Sequence, residues 1–134
     1  MSQENVEVMK LAYEAFACGG LDRYMEQFAD DVEYRAVEGA PDDVGPIHGK
    51  TALRAWLQDW MDTFDGFWFK AVEFIDASED QVVVVERFGG RAKLSGIEAE
   101  QTEAVVSTIR DGKIARYREF ITRAEALEAV GLRE

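Results

Sequence analysis

A chain of 134 residues has room for one domain, and 47% apolar against 31% charged residues fits a folded, globular protein rather than a disordered one. Its 27 acidic and 15 basic residues leave a net charge of −12. There is no cluster of Lys and Arg to displace counterions from nucleic acid or to grip an anionic membrane surface, so neither partner is expected. The acidity reads as a solvated, solubilising surface, with a footprint for a basic partner as the alternative.

One cysteine, Cys18, excludes an internal disulfide and suits a reducing compartment. The opening Met1-Ser2-Gln3-Glu4 lacks the basic and apolar regions of a signal peptide. No stretch approaches the ~20 apolar residues of a membrane span. The expectation is a cytoplasmic chain forming a single domain over 1–134.

In chain order, Val6, Met9, Tyr13 and Phe16 recur at steps of three and four, the stripe of an amphipathic helix over 6–17. Ser2 suits its N-cap and Gly19-Gly20 its stop. Leu21, Tyr24, Met25 and Phe28 repeat the pattern in a short second helix. Asp30-Asp31 punctuates, and 32–37 reads as a first strand. The segment 38–49 holds Pro41, Pro46 and three glycines; a loop this long in a compact domain often carries function, here as a possible lid. Leu53, Trp56, Leu57, Trp60, Met61 and Phe64 give a third helix a wide apolar face.

From Phe67 the period changes from helical to alternating. Strands are predicted over 67–76, 82–89, 97–109 and 114–121. The run Val82-Val83-Val84-Val85 predicts burial on both faces, and Asp111-Gly112 predicts a tight hairpin. Thr122-Arg123-Ala124-Glu125 has the form of a capping box opening a last short helix that ends at Gly131. The order α-α-β-α-β-β-β-β-α, helices first and antiparallel hairpins after, predicts an α+β domain with helices packed on one face of a curved sheet.

Several stretches resemble the nuclear transport factor 2-like superfamily and its SnoaL-like members. They are Ala12-Tyr13-Glu14-Ala15-Phe16 with Gly19-Gly20-Leu21-Asp22, then Phe28-Ala29-Asp30-Asp31-Val32, Ile47-His48-Gly49-Lys50 and Arg110-Asp111-Gly112-Lys113-Ile114. The resemblance implies a cone: a curved mixed or antiparallel sheet wrapped around the N-terminal helices, with a pocket at its open end. It also implies a homodimer through the outer sheet face. Such a fold hosts many activities, so chemistry has to be read from the residues.

Ketosteroid isomerase, a member of this superfamily, pairs a carboxylate base with an oxyanion hole made of a tyrosine and an aspartic acid that its apolar site keeps neutral. On this chain the resemblance puts the base near Ala36 and the oxyanion acid near Val105, both apolar, and Tyr13 one residue from the tyrosine's place. That activity is not expected. SnoaL-type cyclases are described as using an acid/base Asp helped by His; the one histidine, His48, precedes the third helix, where a turn role competes with an acid/base one. One His and one Cys do not make a typical zinc site, and no glycine-rich loop links a strand to a helix to cradle a phosphate. No metal and no cofactor are expected.

The resemblance puts Tyr117, Glu119 and Ile121 inward on the last strand, with Arg116, Arg118 and Phe120 outward. Glu119 is therefore the candidate acid or base, a carboxyl whose acidity burial would weaken; pairing with a neighbouring Arg is the structural alternative. Arg35 and Arg87 sit on strands among apolar residues, where either could meet Glu119 or a ligand carboxylate, or simply face solvent. Glu103 is a similar case on the fourth predicted strand. Trp56, Trp60 and Tyr13 offer flat area to an apolar ligand or serve as core.

Three functions remain open: a pocket binding a small apolar or weakly acidic molecule without turnover, an isomerase, cyclase, dehydratase or hydrolase working through Glu119, and a dimeric scaffold with a vestigial pocket.

Overall fold

The computed structural model describes residues 2–132, with Ser2 in its backbone alone. The cap expected of Ser2 lies outside the described residues. The elements are α1 (Ser2–Met25), β1 (Phe28–Arg35), β2 (Ile47–His48), α2 (Lys50–Met61), β3 (Phe64–Asp76), β4 (Gln81–Ala92), β5 (Glu98–Arg110), β6 (Lys113–Phe120) and α3 (Arg123–Ala129). No described helix is long and apolar enough to cross a membrane.

The two N-terminal helices form as predicted, on either side of a break at Gly20, whose φ of 71° and ψ of −157° are open to glycine and costly for other residues. The second ends earlier than its apolar spacing suggested. Phe28 keeps the buried face expected of it, with 1% of its surface exposed, but it does so as the first residue of β1. The Ile114 amide donates to the Gln27 carbonyl at 2.9 Å, and Phe28 pairs in register with Ile114. A sheet ladder therefore claims the backbone that the side-chain pattern left undecided.

The six strands form one mixed sheet in the order β2-β1-β6-β5-β4-β3. Only β1 and β6 run parallel, with Tyr34 opposite Tyr117; β3 to β6 form successive antiparallel hairpins. The last hairpin turns at Asp111 and Gly112, with φ of 53° and 75°, as a two-residue loop of the predicted kind requires. The sheet is curved and unclosed, and α1 and α2 lie in its concave face. The α+β class and the cone are thus as expected, with the two-residue edge strand β2 added inside the predicted loop.

The valine run is buried on both sides for two different reasons. Val82 and Val84 face the helices and join the main core with Met9, Phe28, Leu53 and Ile114. Val83 faces the other way, and α3 covers it together with Ala104 and Val106 through Ala126 and Leu127. The capping residue that starts α3 is in place: the Glu125 amide donates to the Thr122 hydroxyl at 3.1 Å.

The segment 38–49 is pinned rather than free. Asp43 accepts from the Gly39 and Gly45 amides at 2.9 Å each and takes both ends of the Arg35 guanidinium, at 3.2 and 3.0 Å. Those bonds hold the Asp43 carboxyl well below the usual carboxylate range, with the Arg35 bonds the largest cause.

Leu53 seats α2 on the core with none of its surface exposed. Truncation to alanine leaves a cavity that close-packed neighbours fill only in part. Leu53→Ala is expected to lower unfolding stability by about 3 kcal/mol, read from the shift in urea midpoint at constant slope. A loss below about 1 kcal/mol would mean that α2 is not held through this contact.

Candidate functional site

The strands of the concave face carry their inward residues at every second position, and the registers bring three carboxyls together there. Glu86 on β4 lies opposite Glu103 on β5, and Val105, two residues further on, lies opposite Glu119 on β6. Carboxylate oxygens of Glu86, Glu103 and Glu119 all fall within 4.8 Å of one another. Glu86 is buried; the other two are half-buried.

Tyrosine hydroxyls from three elements donate into this cluster. Tyr13 on α1 donates to Glu86 Oε1 at 2.5 Å, and Tyr117 on β6 donates to the same oxygen at 3.3 Å. Tyr34 on β1 donates to Glu119 Oε2 at 2.8 Å. Tyr34 and Tyr117 lie stacked, with ring centroids 4.9 Å apart and planes 7° from parallel, so two of the donors hold each other in place.

Above the carboxyls lies a cavity of about 330 Å³. Trp56, Trp60, Phe64 and Phe88 give it aromatic walls, Ala40, Pro41 and Asp42 of the pinned loop close one side, and Glu103 and Glu119 form its floor. The indoles of Trp56 and Trp60 stand parallel, 2° apart in plane with centroids 6.5 Å apart, and Trp56 meets Tyr34 at 5.4 Å. A deeper void of about 30 Å³ reaches Glu86 between Phe16, Tyr24 and Phe69, room for about one water molecule.

Burial sets the acidities. It is the first cause at each carboxyl because it disfavours the charged form. Glu119 is pushed up to about 8, with Glu86 adding to burial and the Tyr34 hydrogen bond opposing it. Glu103 is pushed up to about 11 by burial and then by the charges of Glu119 and Glu86. Glu86 is raised by burial and held back by its bonds from Tyr13, Glu103 and Tyr117. All four tyrosines of the site, Tyr13, Tyr24, Tyr34 and Tyr117, are raised by burial and stay neutral.

The spacing of the three carboxyls would also admit a divalent cation, although phenol hydroxyls already donate into oxygens of Glu86 and Glu119. The one histidine does not join the cluster: His48 sits on β2, exposed.

Of the residues singled out from sequence, Glu119, Glu103, Tyr13, Tyr117, Trp56 and Trp60 converge on this region. Arg35 and Arg87 do not. Arg35 is spent on Asp43 and Glu38 beside β1, and Arg87 faces outward in an ion pair with Glu100. Alternation explains both: Arg87 lies one residue from the inward Glu86, so it must point the other way. No guanidinium lines that cavity; Arg35 and Glu119 meet only in the lining of a separate cleft of about 180 Å³. Ile121 rims the cavity, 61% exposed.

Sequence reasoning missed Glu86 and Tyr34. The valine run hid Glu86, because four apolar residues in a row carry no alternation. Counting back by twos from Phe88 would have put Glu86, Val84 and Val82 on one face.

The raised carboxyls make stability depend on pH. Between the unfolded glutamate value of about 4.3 and the folded values, the unfolded chain releases protons that the fold retains, so stability falls as pH rises. Glu103→Gln keeps the shape and removes that release. Urea unfolding near pH 5 and near pH 8 is expected to show a shallower loss in the variant than in the native protein. Equal losses would place Glu103 in water rather than in the cluster.

With this geometry in place, comparison with known proteins gives a consistent answer. The model of the SnoaL-like domain family matches residues 10–117. An uncharacterised protein of Mycobacterium tuberculosis is 31% identical over 126 residues, which is 93% of this chain and 94% of that one. Among solved structures, TerC co-crystallised with polyporic acid superposes with a TM-score of 0.75 at 23% identity, covering 95% of this chain and 98% of TerC. A putative SnoaL-like polyketide cyclase of Mesorhizobium loti superposes with a TM-score of 0.67 at 25% identity, covering 85% of this chain and 96% of the other. The chain belongs to the SnoaL-like family, on the nuclear transport factor 2-like fold.

Proposed function

We propose that the chain binds a small, flat, largely apolar molecule in the cavity beside Trp56 and Trp60, with an oxygen of that molecule directed at Glu119. The observation that carries this is the placement of Glu119 and Glu103 in the floor of an aromatic cavity of about 330 Å³, inside the ~300–1,000 Å³ range of ligand sites. Parallel indoles offer a planar ring two apolar faces. With no Lys, Arg or His in the lining, a carboxylate ligand would meet only acidic neighbours, so a neutral oxygen function suits the floor better than an acidic one.

Catalysis, if the bound molecule is turned over, falls to Glu119. A carboxyl with its midpoint near 8 exchanges its proton near neutral pH, where general acids and bases are most effective. The step this supports is proton transfer to or from the ligand, as isomerisation, cyclisation and dehydration all need, without a cofactor. The scaffold reading, a pocket filled by its own side chains, fits the 30 Å³ inner void better than the open outer chamber.

The whole chain is proposed to act as one domain in the cytoplasm, with the exposed Cys18 unpaired. A homodimer through the outer sheet face is proposed for the part that α3 leaves uncovered, around the exposed Val72 on β3. Sedimentation velocity across micromolar concentrations is expected to show a dimer; a monomer throughout would remove that proposal.

Binding is tested with polyporic acid, the molecule crystallised with TerC, and with its neutral dimethyl ether, by quenching of tryptophan fluorescence. The ether is expected to bind more tightly than the acid, and Trp60→Ala to weaken it about tenfold or more, as loss of a buried aromatic contact of ~1.4 kcal/mol or above implies. Equal affinity in Trp60→Ala would place the ligand elsewhere.

A further inference from the structure

Three carboxyls with oxygens inside 4.8 Å and no basic side chain in the surrounding walls cannot all be ionised, because like charges at that distance in a desolvated site repel too strongly. Which of them keeps its proton is decided by the donors each receives. Glu86 receives two phenol hydroxyls, from Tyr13 and Tyr117. Glu119 receives one, from Tyr34. Glu103 receives none from a tyrosine and brings a carboxyl oxygen within 4.8 Å of both other carboxyls. Protonation of two of the three relieves the repulsion and leaves one negative charge, which falls on the group best supplied with donors.

We infer that Glu86 is a positioning residue, a buried fixed anion whose charge keeps the proton on Glu119 and so sets the pH at which the cavity floor changes from donor to acceptor. Glu86 does not line the outer cavity; it acts through Glu103 and Glu119, which do. Below that pH the floor donates a hydrogen bond to an oxygen of the bound molecule. Above it, Glu119 becomes a base.

The groups that face Glu86 are few. From α1 come Tyr13 and Tyr24, from β1 Tyr34, from β5 Glu103, and from β6 Tyr117 and Glu119. Asp42 of the pinned loop also raises Glu119, weakly. From α2 and β3 come only Leu57, Trp60, Met61, Phe67 and Phe69, none ionisable. Among the described residues no cation lines either chamber; Arg35 and Arg118 line a separate cleft that Glu119 borders, and Arg35 is paired there with Asp43. Burial is the larger contribution to the raised Glu119 midpoint and Glu86 the next, so removing Glu86 lowers that midpoint without returning it to its value in water.

This rests on the proposed pocket only for its consequence. Its test needs neither ligand nor activity, so the two fail separately. Carbon-13 labelling of the glutamate side chains follows each carboxyl through its own titration, and the infrared C=O stretch of a neutral carboxyl counts the protons retained at neutral pH. The native protein is expected to show Glu119 titrating near 8, Glu103 neutral throughout that range, and two retained protons.

Glu86→Gln keeps an acceptor for Tyr13 and Tyr117 and removes the charge. It is expected to lower the Glu119 midpoint by about one to two pH units, the size of a charge at this distance in a partly screened site. A buried residue serving packing alone would leave the midpoint in place. Should Glu86→Gln fail to fold, Tyr13→Phe removes one donor and is expected to raise the midpoint of Glu86 itself. An unmoved Glu119 midpoint in Glu86→Gln, an unmoved Glu86 midpoint in Tyr13→Phe, or a stoichiometric divalent cation in the purified protein would each overturn the assignment.

Discussion

The bond from the Tyr13 hydroxyl to Glu86, 2.5 Å long, is the constraint on which the concave face depends. It joins the first helix to the middle of the sheet across 73 residues of chain, and it does so at a carboxyl that burial would otherwise make untenable. A buried anion without donors costs several kcal/mol; one that accepts from two phenols is tolerable because both donors come from rigid elements. Tyr13 is fixed by edge-on contacts with Phe69 and Phe74, with ring centroids at 5.3 and 6.0 Å. Tyr117 is fixed by its stack on Tyr34. The aromatic core thus serves twice, burying area and aiming hydroxyls.

From that bond the cavity follows. Once α1 is tied down at Tyr13, the rings of Phe16 and Tyr24 fill the inner part of the cone against Phe69, at 4.3 and 5.4 Å. They leave little more than the space of one water beside Glu86. Further out, α2 stands across the mouth with its two indoles parallel, and the segment 38–49 is held against the opening by Asp43. Arg35 contributes to the cavity in this indirect way: its guanidinium fixes the loop whose Ala40, Pro41 and Asp42 form a wall. The chamber stays open because planar indoles and a pinned backbone cannot collapse into it as flexible side chains would.

Much of the architecture was legible in the sequence because burial repeats with the period of the backbone. The stripe through Val6, Met9 and Tyr13, the face from Leu53 to Met61, the Asp111-Gly112 turn and the Thr122 cap each have a local cause, and each is where its pattern put it, while Phe64, counted with the third helix, opens β3 instead. Boundaries failed where two structures satisfy one pattern: Phe28 is buried equally well at the end of a helix or the start of a strand, and only its distant pairing with Ile114 decides. On the site, Glu119 and Tyr117 were readable from the alternation of a single strand. Glu86 was not, since its meaning comes from lying opposite Glu103, a fact of register that four consecutive valines conceal. The same run left Arg87 open between the cavity and the solvent face, and it takes the latter, paired with Glu100.

The surplus of acidic residues and the carboxyl cluster act in one direction. A net charge of −12 lowers the electrostatic potential around the whole molecule, which favours protonation everywhere and disfavours the approach of anions. At the surface, water and salt screen this within about 10 Å at moderate ionic strength. In the cone they do not, and the tyrosine donors break the tie among three otherwise similar groups. The same side-chain chemistry therefore yields solubility outside and a graded set of acidities inside: Glu103 pushed up to about 11, Glu119 to about 8, and Glu86 raised by burial but held back by the bonds it accepts. Burial raises all three, and the charges they place on one another together with the hydroxyls each receives set them apart, which is a property of the fold and not of the glutamates.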